Sequence, residues 1–286
     1  MAKLHAYGNH AYDHAALNLN ALMQPAFDRY MDEDGDETYN GIFYDDMFWF
    51  DDGSEAVAWC GPDLAATGSA LTSGTVTMMR SEILVDPVGD EWAATWMLFD
   101  IEASGIALYG AAGTARTSDD FSVYESLLSG NDEFRMSSSG DRVRGYAGDD
   151  LMYGYRGADR MEGDAGHDLL VGGAGRDTLK GGGGRDVFDY NLVSESGLTN
   201  STRDVIVDFT RGLDRIDLRN IDANTEVGGN QAFKGILIPA NAAFSSAGQL
   251  RLANGVLYGN TDGDAAAEFS IQLTGVTALA ATEFLL

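Results

Sequence analysis

Seven aspartates recur every nine residues in the middle of the chain, and this regular spacing of carboxylates could perform chemistry. Each is the sixth residue of a nonapeptide, and seven nonapeptides follow one another without a gap over residues 127–189. The seven are Asp132, Asp141, Asp150, Asp159, Asp168, Asp177 and Asp186. Because acidic residues occupy only about one position in six overall, a chance origin of this phase is negligible. The aspartates therefore mark an internal repeat.

The same nonapeptides indicate the element that positions the carboxylates. The first six residues are rich in glycine, which permits positive φ and close backbone approach in a turn. The last three indicate a short strand whose eighth position is always apolar. These apolar residues are Phe134, Val143, Met152, Met161, Leu170, Leu179 and Phe188. Two nonapeptides then form one coil of a parallel β-roll, and stacked coils bury a core that no single repeat could bury alone.

A coil of two repeats places aspartates that are eighteen residues apart on the same side of the roll. Asp132 then lies over Asp150, and Asp168 lies over Asp186. Stacked carboxylates repel one another, and a hard cation between them removes the repulsion. Ca²⁺ accepts six to eight oxygen ligands in flexible geometry, whereas Mg²⁺ demands a tight octahedron. Seven repeats give five same-side pairs, so the sequence predicts roughly five calcium ions.

This nonapeptide resembles the RTX, or haemolysin-type, calcium-binding repeat, and residues 172–180 and 181–189 are the best copies. The resemblance implies that the ligands are the sixth-position carboxylates, most securely those of repeats three to seven, together with main-chain oxygens of the turn glycines. The leading glycines concerned are Gly145, Gly154, Gly163, Gly172 and Gly181. The first two repeats begin with Leu127 and Met136 instead. We expect these repeats to form weaker sites or to cap the roll.

The residues after the repeats resemble the C-terminal domain of serralysin-type metalloproteases. The likeness is carried by residues 188–191, 204–209, 212–218, 221–224, 231–233 and 255–275. It implies a calcium-binding region of a secreted protein, in which Asp204 closes the last calcium site. The apolar end of the chain, residues 278–286, resembles the uncleaved C-terminal signal of type I secretion and also fits a last strand of the fold.

The catalytic motif of these proteases is missing from the sequence. None of the four histidines, His5, His10, His14 and His167, begins an H-E-x-x-H pattern, and no G-x-S-x-G nucleophile motif occurs. Peptidase activity of the family type is therefore not expected, and no catalytic residue is assigned.

Residues 1–126 are predicted to form a separate, β-rich and sandwich-like domain. Short β-branched and aromatic runs at residues 41–50, 75–79 and 92–101 indicate strands, and apolar residues recurring over 11–30 indicate a helix. The complete prediction is an all-β chain with this acidic domain, a parallel β-roll over 127–189 and a β-rich C-terminal cap over 190–286.

Two functions remain open for the N-terminal domain. The aromatic run at residues 43–50 suits a sugar-binding surface or a core strand, and the pairs Asp45/Asp46 and Asp51/Asp52 suit glycoside hydrolysis or are solvated charge. Because no catalytic motif is recognised, the favoured function is an extracellular binding or adhesion module with a surface glycan or cell-envelope ligand. The alternative is a secreted hydrolase that acts on a polysaccharide or another polymer.

The charge excludes further classes of function. The chain has 45 acidic and 18 basic residues, a net charge of −27, so binding to nucleic acid or to an anionic membrane surface is not expected. No stretch approaches the roughly 18 apolar residues of a membrane span, and residues 1–10 lack the apolar region of a signal peptide. We expect a secreted bacterial protein that reaches the outside through type I secretion machinery.

Smaller acidic and histidine clusters leave alternatives open. The alternate spacing of Asn260, Asp262 and Asp264 suits a weak calcium site. Residues 32–36 have similar spacing, although a solvated acidic loop is favoured there. Histidines within residues 5–14 suit either a transition-metal site or a polar leader.

Overall fold

The computed structural model describes the backbone of ten strands between residues 3 and 104, and residues 128–234 and 237–286 in full. The chain divides into two compact units, Met1–Glu133 and Phe134–Leu286. Within the described residues, regular structure is β-strand throughout, apart from a single 3-10 turn at Ala281–Glu283. The predicted all-β class is therefore confirmed. No described helix has the length and apolar character to cross a membrane.

The first unit contains a six-stranded antiparallel sheet in the order β2-β5-β6-β9-β10-β1. Two further pairs, β3-β4 and β7-β8, form separate two-stranded sheets. The strands are β1 (Lys3–Ala6), β2 (Asp28–Asp32), β3 (Glu37–Tyr39), β4 (Ile42–Tyr44), β5 (Asp46–Asp51), β6 (Glu55–Gly61), β7 (Ala65–Thr67), β8 (Ala70–Ser73), β9 (Thr75–Asp86) and β10 (Glu91–Ser104).

The strands predicted in the first unit are confirmed, because β4, β5, β9 and β10 cover the aromatic and β-branched runs. The helix predicted over residues 11–30 is wrong at its C-terminal end. Asp28–Asp32 is a strand there, since it pairs residue by residue with β5 from Asp51 back to Met47. Residues 11–27 lie outside the described residues, as do the histidines at positions 10 and 14 and the aspartates at positions 34 and 36.

Sixteen strands, nearly all of them short, follow from the boundary residue Glu133 onward. They are β11 (Glu133–Arg135), β12 (Arg142–Arg144), β13 (Leu151–Tyr153), β14 (Arg156–Gly157), β15 (Arg160–Gly166), β16 (Leu169–Val171), β17 (Ala174–Gly175), β18 (Thr178–Gly184), β19 (Val187–Asp189), β20 (Asp204–Ile206), β21 (Arg215–Asp217), β22 (Leu237–Ile238), β23 (Gln249–Ala253), β24 (Val256–Asn260), β25 (Phe269–Leu273) and β26 (Phe284–Leu285).

Strands from alternate nonapeptides form the two sheets of a parallel roll. One sheet runs β11-β13-β16-β19-β21-β26, and the other runs β12-β15-β18-β20-β25-β24-β23-β22. The parallel register is eighteen residues, with Arg142 opposite Arg160 and Leu151 opposite Leu169. Two nonapeptides therefore form one coil, as the sequence predicts.

The eighth-position side chains form the core of the roll. All seven are 3% exposed or less, and burial of such side chains stabilises the fold by about 1.5–3 kcal/mol each. After the last repeat the coil lengthens, because Thr178 pairs with Val205 and Val187 pairs with Arg215. Ile206 and Ile216 are fully buried and continue the same apolar column.

The cap beyond the roll mixes parallel and antiparallel pairing. Strand β25 lies parallel to β20, whereas β23, β24 and β25 pair antiparallel with one another. The Phe233 and Phe269 rings meet edge to face with centroids 5.8 Å apart. The final strand, β26, pairs with β21 and buries Phe284, so the apolar end of the chain is the last strand of this fold.

Candidate calcium sites in the roll

Every sixth-position aspartate lies immediately before a strand of the roll and is at most 2% exposed. Those before β12, β15 and β18 lie on one side, and those before β11, β13, β16 and β19 lie on the other. The short strand fixes the position of each carboxylate, because the next residue but one is the buried apolar side chain. The structure therefore brings the predicted residues into two stacks, as the period of eighteen requires.

Hydrogen bonds join the aspartates of each stack into a ladder. The main-chain N–H of one aspartate donates to Oδ1 of the aspartate in the next coil. The first ladder is Asp141–Asp159–Asp177–Asp204, with N···Oδ1 distances of 2.7, 2.8 and 2.8 Å. The second ladder is Asp150–Asp168–Asp186–Asp214, with distances of 2.8, 3.1 and 3.1 Å. The stacked carboxylates are thus held in register by the backbone as well as by the strands.

The other carboxylate oxygen, Oδ2, lacks a hydrogen-bond partner among the described residues at most positions of the two ladders. It is buried and accepts no hydrogen bond from the described residues in five cases: Asp159, Asp168, Asp177, Asp186 and Asp204. A buried polar atom without a partner costs about 1–3 kcal/mol, and more when it is charged. Five such atoms at equivalent positions indicate that a ligand completes them.

Burial raises the pKa values of these carboxyls. The pKa of Asp159 and that of Asp204 rise to about 8, and that of Asp168 rises to about 7. Those of Asp177 and Asp186 rise to about 6. Loss of solvent is the largest cause in each case, and the charge of a neighbouring carboxylate adds to it. In the calcium-free roll these carboxyls keep their protons to higher pH than exposed aspartates do, whereas a bound cation favours the ionised form.

The leading glycine of a repeat lies directly against its own aspartate. A Cβ added to Gly154 would meet Asp159 Oδ2 at 2.6 Å, and one added to Gly172 would meet Asp177 Oδ2 at 2.5 Å. A Cβ added to Gly145, Gly154 or Gly163 would also collide with the carbonyl oxygen of the leading glycine in the next coil, eighteen residues later. A carboxylate oxygen and a main-chain carbonyl oxygen thus converge at these glycines.

The fourth position needs glycine in the last three turns. Gly166, Gly175 and Gly184 have φ values of 149°, 152° and 141°, and a Cβ at each would collide with the carbonyl of the residue eighteen positions earlier. The second position takes positive φ even where it is not glycine, with 69° at Tyr146 and 65° at Tyr155. The tight turn therefore persists in repeats that have lost their second glycine.

The first ladder differs at its N-terminal end, and the second differs at its C-terminal end. Asp141 Oδ2 accepts hydrogen bonds from the Ser137 N–H and hydroxyl at 2.8 and 2.9 Å. At the opposite end, Asp214 Oδ2 accepts a 2.6 Å hydrogen bond from the Thr210 N–H. At these ends a donor four residues earlier occupies the oxygen that is left over elsewhere. The second repeat therefore lacks the unpartnered Oδ2 of the later repeats.

Sequence reasoning missed two acidic residues of the site. Asp214 ends the second ladder, and Asp208 accepts hydrogen bonds from the N–H groups of Gly181 and Gly182 at 3.1 and 2.9 Å. A signal for Asp214 exists, because Asp214 is followed two residues later by the buried Ile216, as in positions six and eight of a repeat. The repeat period does not extend to Asp214, because this residue follows Asp186 by 28 residues instead of eighteen.

The donor chemistry of these turns fits calcium. Every oxygen that converges on a leading glycine belongs to a carboxylate or a main-chain carbonyl, which are the ligands that Ca²⁺ takes in irregular geometry. No thiolate or imidazole points to a transition metal at the ladder oxygens described above. The parallel coils and their aspartate ladders define the class of the second unit, a parallel β-roll of the calcium-binding type.

Comparison with known proteins gives the family. Residues 129–286, just over half of the chain, match the family described as peptidase M10 serralysin C terminal, and the chain belongs to this family. Among solved structures, it is similar to the AlgE6R3 subunit of the mannuronan C5-epimerase from Azotobacter vinelandii, determined in solution. The two are 27% identical over 55% of this chain and 79% of that chain, with a TM-score of 0.30. No curated protein matches the sequence.

Membership of this family agrees with the resemblance seen in the repeats. Serralysin C-terminal domains bind calcium and belong to secreted proteins. The catalytic half of a serralysin is not part of the match, which begins at residue 129.

Proposed function

We propose that calcium ions bind in the turns of the roll and that their binding folds it. The ligands are the ladder carboxylates, with Asp204 closing the first ladder, and the main-chain oxygens of the leading glycines. The carboxylates are those of Asp132, Asp150, Asp159, Asp168, Asp177, Asp186 and Asp204, and the glycines are Gly145, Gly154, Gly163, Gly172 and Gly181. Roughly five ions bind among the seven repeats, while Asp141 belongs to the cap at Ser137.

One observation carries this proposal: five buried Oδ2 atoms without a hydrogen-bond partner, repeated at equivalent positions. Without calcium, folding must bury these carboxylates either ionised without a partner or protonated. The narrow apolar core stabilises the roll too little to offset that cost. With calcium, each carboxylate gains a bond to the ion, and binding free energy becomes folding free energy. A low-calcium cytosol then keeps the roll unfolded for type I export, and millimolar calcium outside the cell folds it.

Circular dichroism of the full chain tests the coupling. We expect β-structure and a cooperative thermal transition in millimolar calcium, and loss of much of that signal in a chelator. Magnesium at the same concentration is the control, and it should restore little, because the turns offer no tight octahedron. Identical spectra and melting temperatures in calcium and in chelator would contradict the proposal.

The three predicted segments serve different roles in this proposal. Residues 127–189 and 190–286 form the calcium-dependent module, and residues 1–126 carry an extracellular binding or adhesion activity. The first segment holds 22 acidic and 4 basic residues, so its ligand is neutral or cationic rather than another polyanion.

A surface feature of the roll supports binding of a neutral ligand such as a glycan. Tyr153 and Tyr155 stack with centroids 6.1 Å apart and line a cleft of 480 Å³ together with the exposed Leu192. Clefts of about 300–1,000 Å³ with aromatic walls and a few polar groups suit small ligands or single sugar units.

Incubating the calcium-loaded full chain with immobilised polysaccharides separates the two candidate roles. Binding without release of shorter products supports the binding module. Weaker binding by Tyr155→Ala, with no change for the exposed Leu213→Ala, would place the ligand in the roll cleft, whereas no change for either variant would favour residues 1–126. Release of shortened polymer would support the alternative, a secreted hydrolase with catalytic residues in the N-terminal domain.

A further inference from the structure

The hairpin loop between β24 and β25 gathers acidic side chains outside the roll. One carboxylate oxygen of each of Asp262, Asp264 and Glu268 lies within 4.8 Å of the other two. Oxygen atoms that share one calcium ion, at bond lengths of 2.3–2.6 Å, are at most about 5 Å apart. The three carboxylate oxygens are therefore close enough to one another to bind a single calcium ion.

A buried amide oxygen in the same loop has no partner. Asn260 is fully buried, and its Nδ2 donates hydrogen bonds to the carbonyl oxygens of Asp264 and Ala266 at 3.1 and 2.6 Å. These bonds hold the carboxamide inside the loop. Its Oδ1 accepts no hydrogen bond within the described part of the chain. An amide oxygen in this state costs about 1–3 kcal/mol, and coordination of a cation removes that cost.

The negative charge around this loop also favours a bound cation. The Glu226 carboxylate lies beside Gly263, where an added Cβ would meet its Oε1 at 2.8 Å. Its chain segment is tied to the loop by a 2.9 Å hydrogen bond from the Thr225 N–H to the Thr261 carbonyl. Among the described residues, no lysine or arginine forms an ion pair with any of these four acids. Burial and the charges of its two neighbours raise the pKa of Glu268.

We propose that this loop binds one calcium ion, at a site separate from the roll. The side chains that face the ion are those of Asn260, Asp262, Asp264 and Glu268. All donors are oxygens in an irregular loop, which favours calcium over zinc or magnesium. The site does not depend on the ladders, and the ion would hold the two ends of the loop between β24 and β25 together.

Equilibrium dialysis of the full chain against ⁴⁵Ca²⁺ at several millimolar tests this site. The double variant Asp262→Asn/Asp264→Asn should bind one ion fewer per chain than the unmodified protein at saturation. Asp222→Asn is the matched control, because it removes a carboxylate of the same cap while leaving an oxygen to accept the two N–H groups that Asp222 Oδ1 binds. It should bind the full number. Equal stoichiometry for all three proteins would overturn the proposal.

A second measurement holds even if the double variant misfolds. Crystals of the unmodified full chain grown with calcium should show an anomalous difference peak inside the loop, close to Asn260 Oδ1. Peaks in the turns of the roll combined with no peak in this loop would overturn the loop site and leave the proposed function intact. Peaks in the loop alone would uphold the loop site and contradict calcium binding by the roll.

Discussion

The main-chain N–H of Asp159 donates a 2.8 Å hydrogen bond to Oδ1 of Asp177, eighteen residues later, while Oδ2 of Asp177 remains buried without a partner. One carboxylate thus has two different tasks. Its first oxygen joins successive coils through the backbone, and its second is free to bind a cation. Removing the charge while preserving the first oxygen separates the two.

Asp177→Asn should weaken calcium binding without breaking the ladder. The asparagine retains an oxygen for the Asp159 N–H but replaces the left-over carboxylate oxygen by a neutral amide. We expect calcium affinity at the affected site to fall about tenfold or more, equivalent to about 1.4 kcal/mol. Isothermal titration calorimetry on the full chain measures it.

Glu162→Gln is the control for this substitution, because it removes a carboxylate from a strand of the same roll where Glu162 pairs with Arg160 and Lys180. Its calcium affinity should stay within about twofold of the unmodified protein. Equal affinities for both variants would mean that the carboxylate of Asp177 does not contact the ion.

Two neighbouring glycines should respond differently to alanine. Gly184 has φ 141°, and a Cβ there collides with the Gly166 carbonyl, whereas a Cβ at Gly183 meets nothing closer than the Asp164 carbonyl at 3.8 Å. Gly184→Ala should destabilise the calcium-loaded roll by more than about 2 kcal/mol, and Gly183→Ala by less than about 1 kcal/mol. Urea unfolding in saturating calcium compares them, and a similar loss in both would contradict the close stacking of the turns.

The calcium-free and calcium-loaded forms should depend on pH in opposite directions. The pKa values of Asp159 and Asp204, about 8, lie above those of an unfolded chain, so the folded state binds more protons between about pH 4 and pH 8. Stability in chelator is therefore greatest at low pH and falls as pH rises through the folded pKa values. We therefore expect the full chain in chelator to contain more β-structure, measured by circular dichroism, at pH 5 than at pH 8.

With calcium present the trend should reverse, because protons compete with the ion for the same carboxylates. Calcium affinity should then fall as the pH drops from 8 to 5. Circular dichroism at both pH values, with calcium and with chelator, gives the full comparison. More β-structure in chelator at pH 8 than at pH 5 would show that these carboxyls are ionised in the calcium-free fold.

The regular part of the roll was predictable because the same residue types recur at the same positions of each nonapeptide. A fixed period of nine places Leu170 and Leu179 in the core, and it places Asp168 beneath Asp186 in the next coil. The class of ligand follows from the same period, since stacked carboxylates require a counter-charge. The period does not predict which oxygen of each carboxylate accepts the hydrogen bond from the neighbouring coil. That depends on the turn conformation that the glycines permit.

The irregular parts could not be predicted from periodicity. Asp204 and Asp214 join the ladders across longer connections of 27 and 28 residues, where tertiary packing of Ile206 and Ile216 decides the register. The hydrogen bonds from Ser137 to Asp141 depend on one residue at a position that is glycine in the last two repeats. In the first unit, the pairing of β2 with β5 overrides the apolar recurrence that favoured a helix.

Hydrogen–deuterium exchange of the full chain, followed by mass spectrometry, tests the central claim most directly. Peptides that cover residues 159–188 contain the ladder amides of Asp159, Asp168 and Asp177. We expect strong protection of these peptides in millimolar calcium and near-complete exchange within seconds in chelator at pH 8. Equal protection in both conditions would contradict a roll that calcium folds.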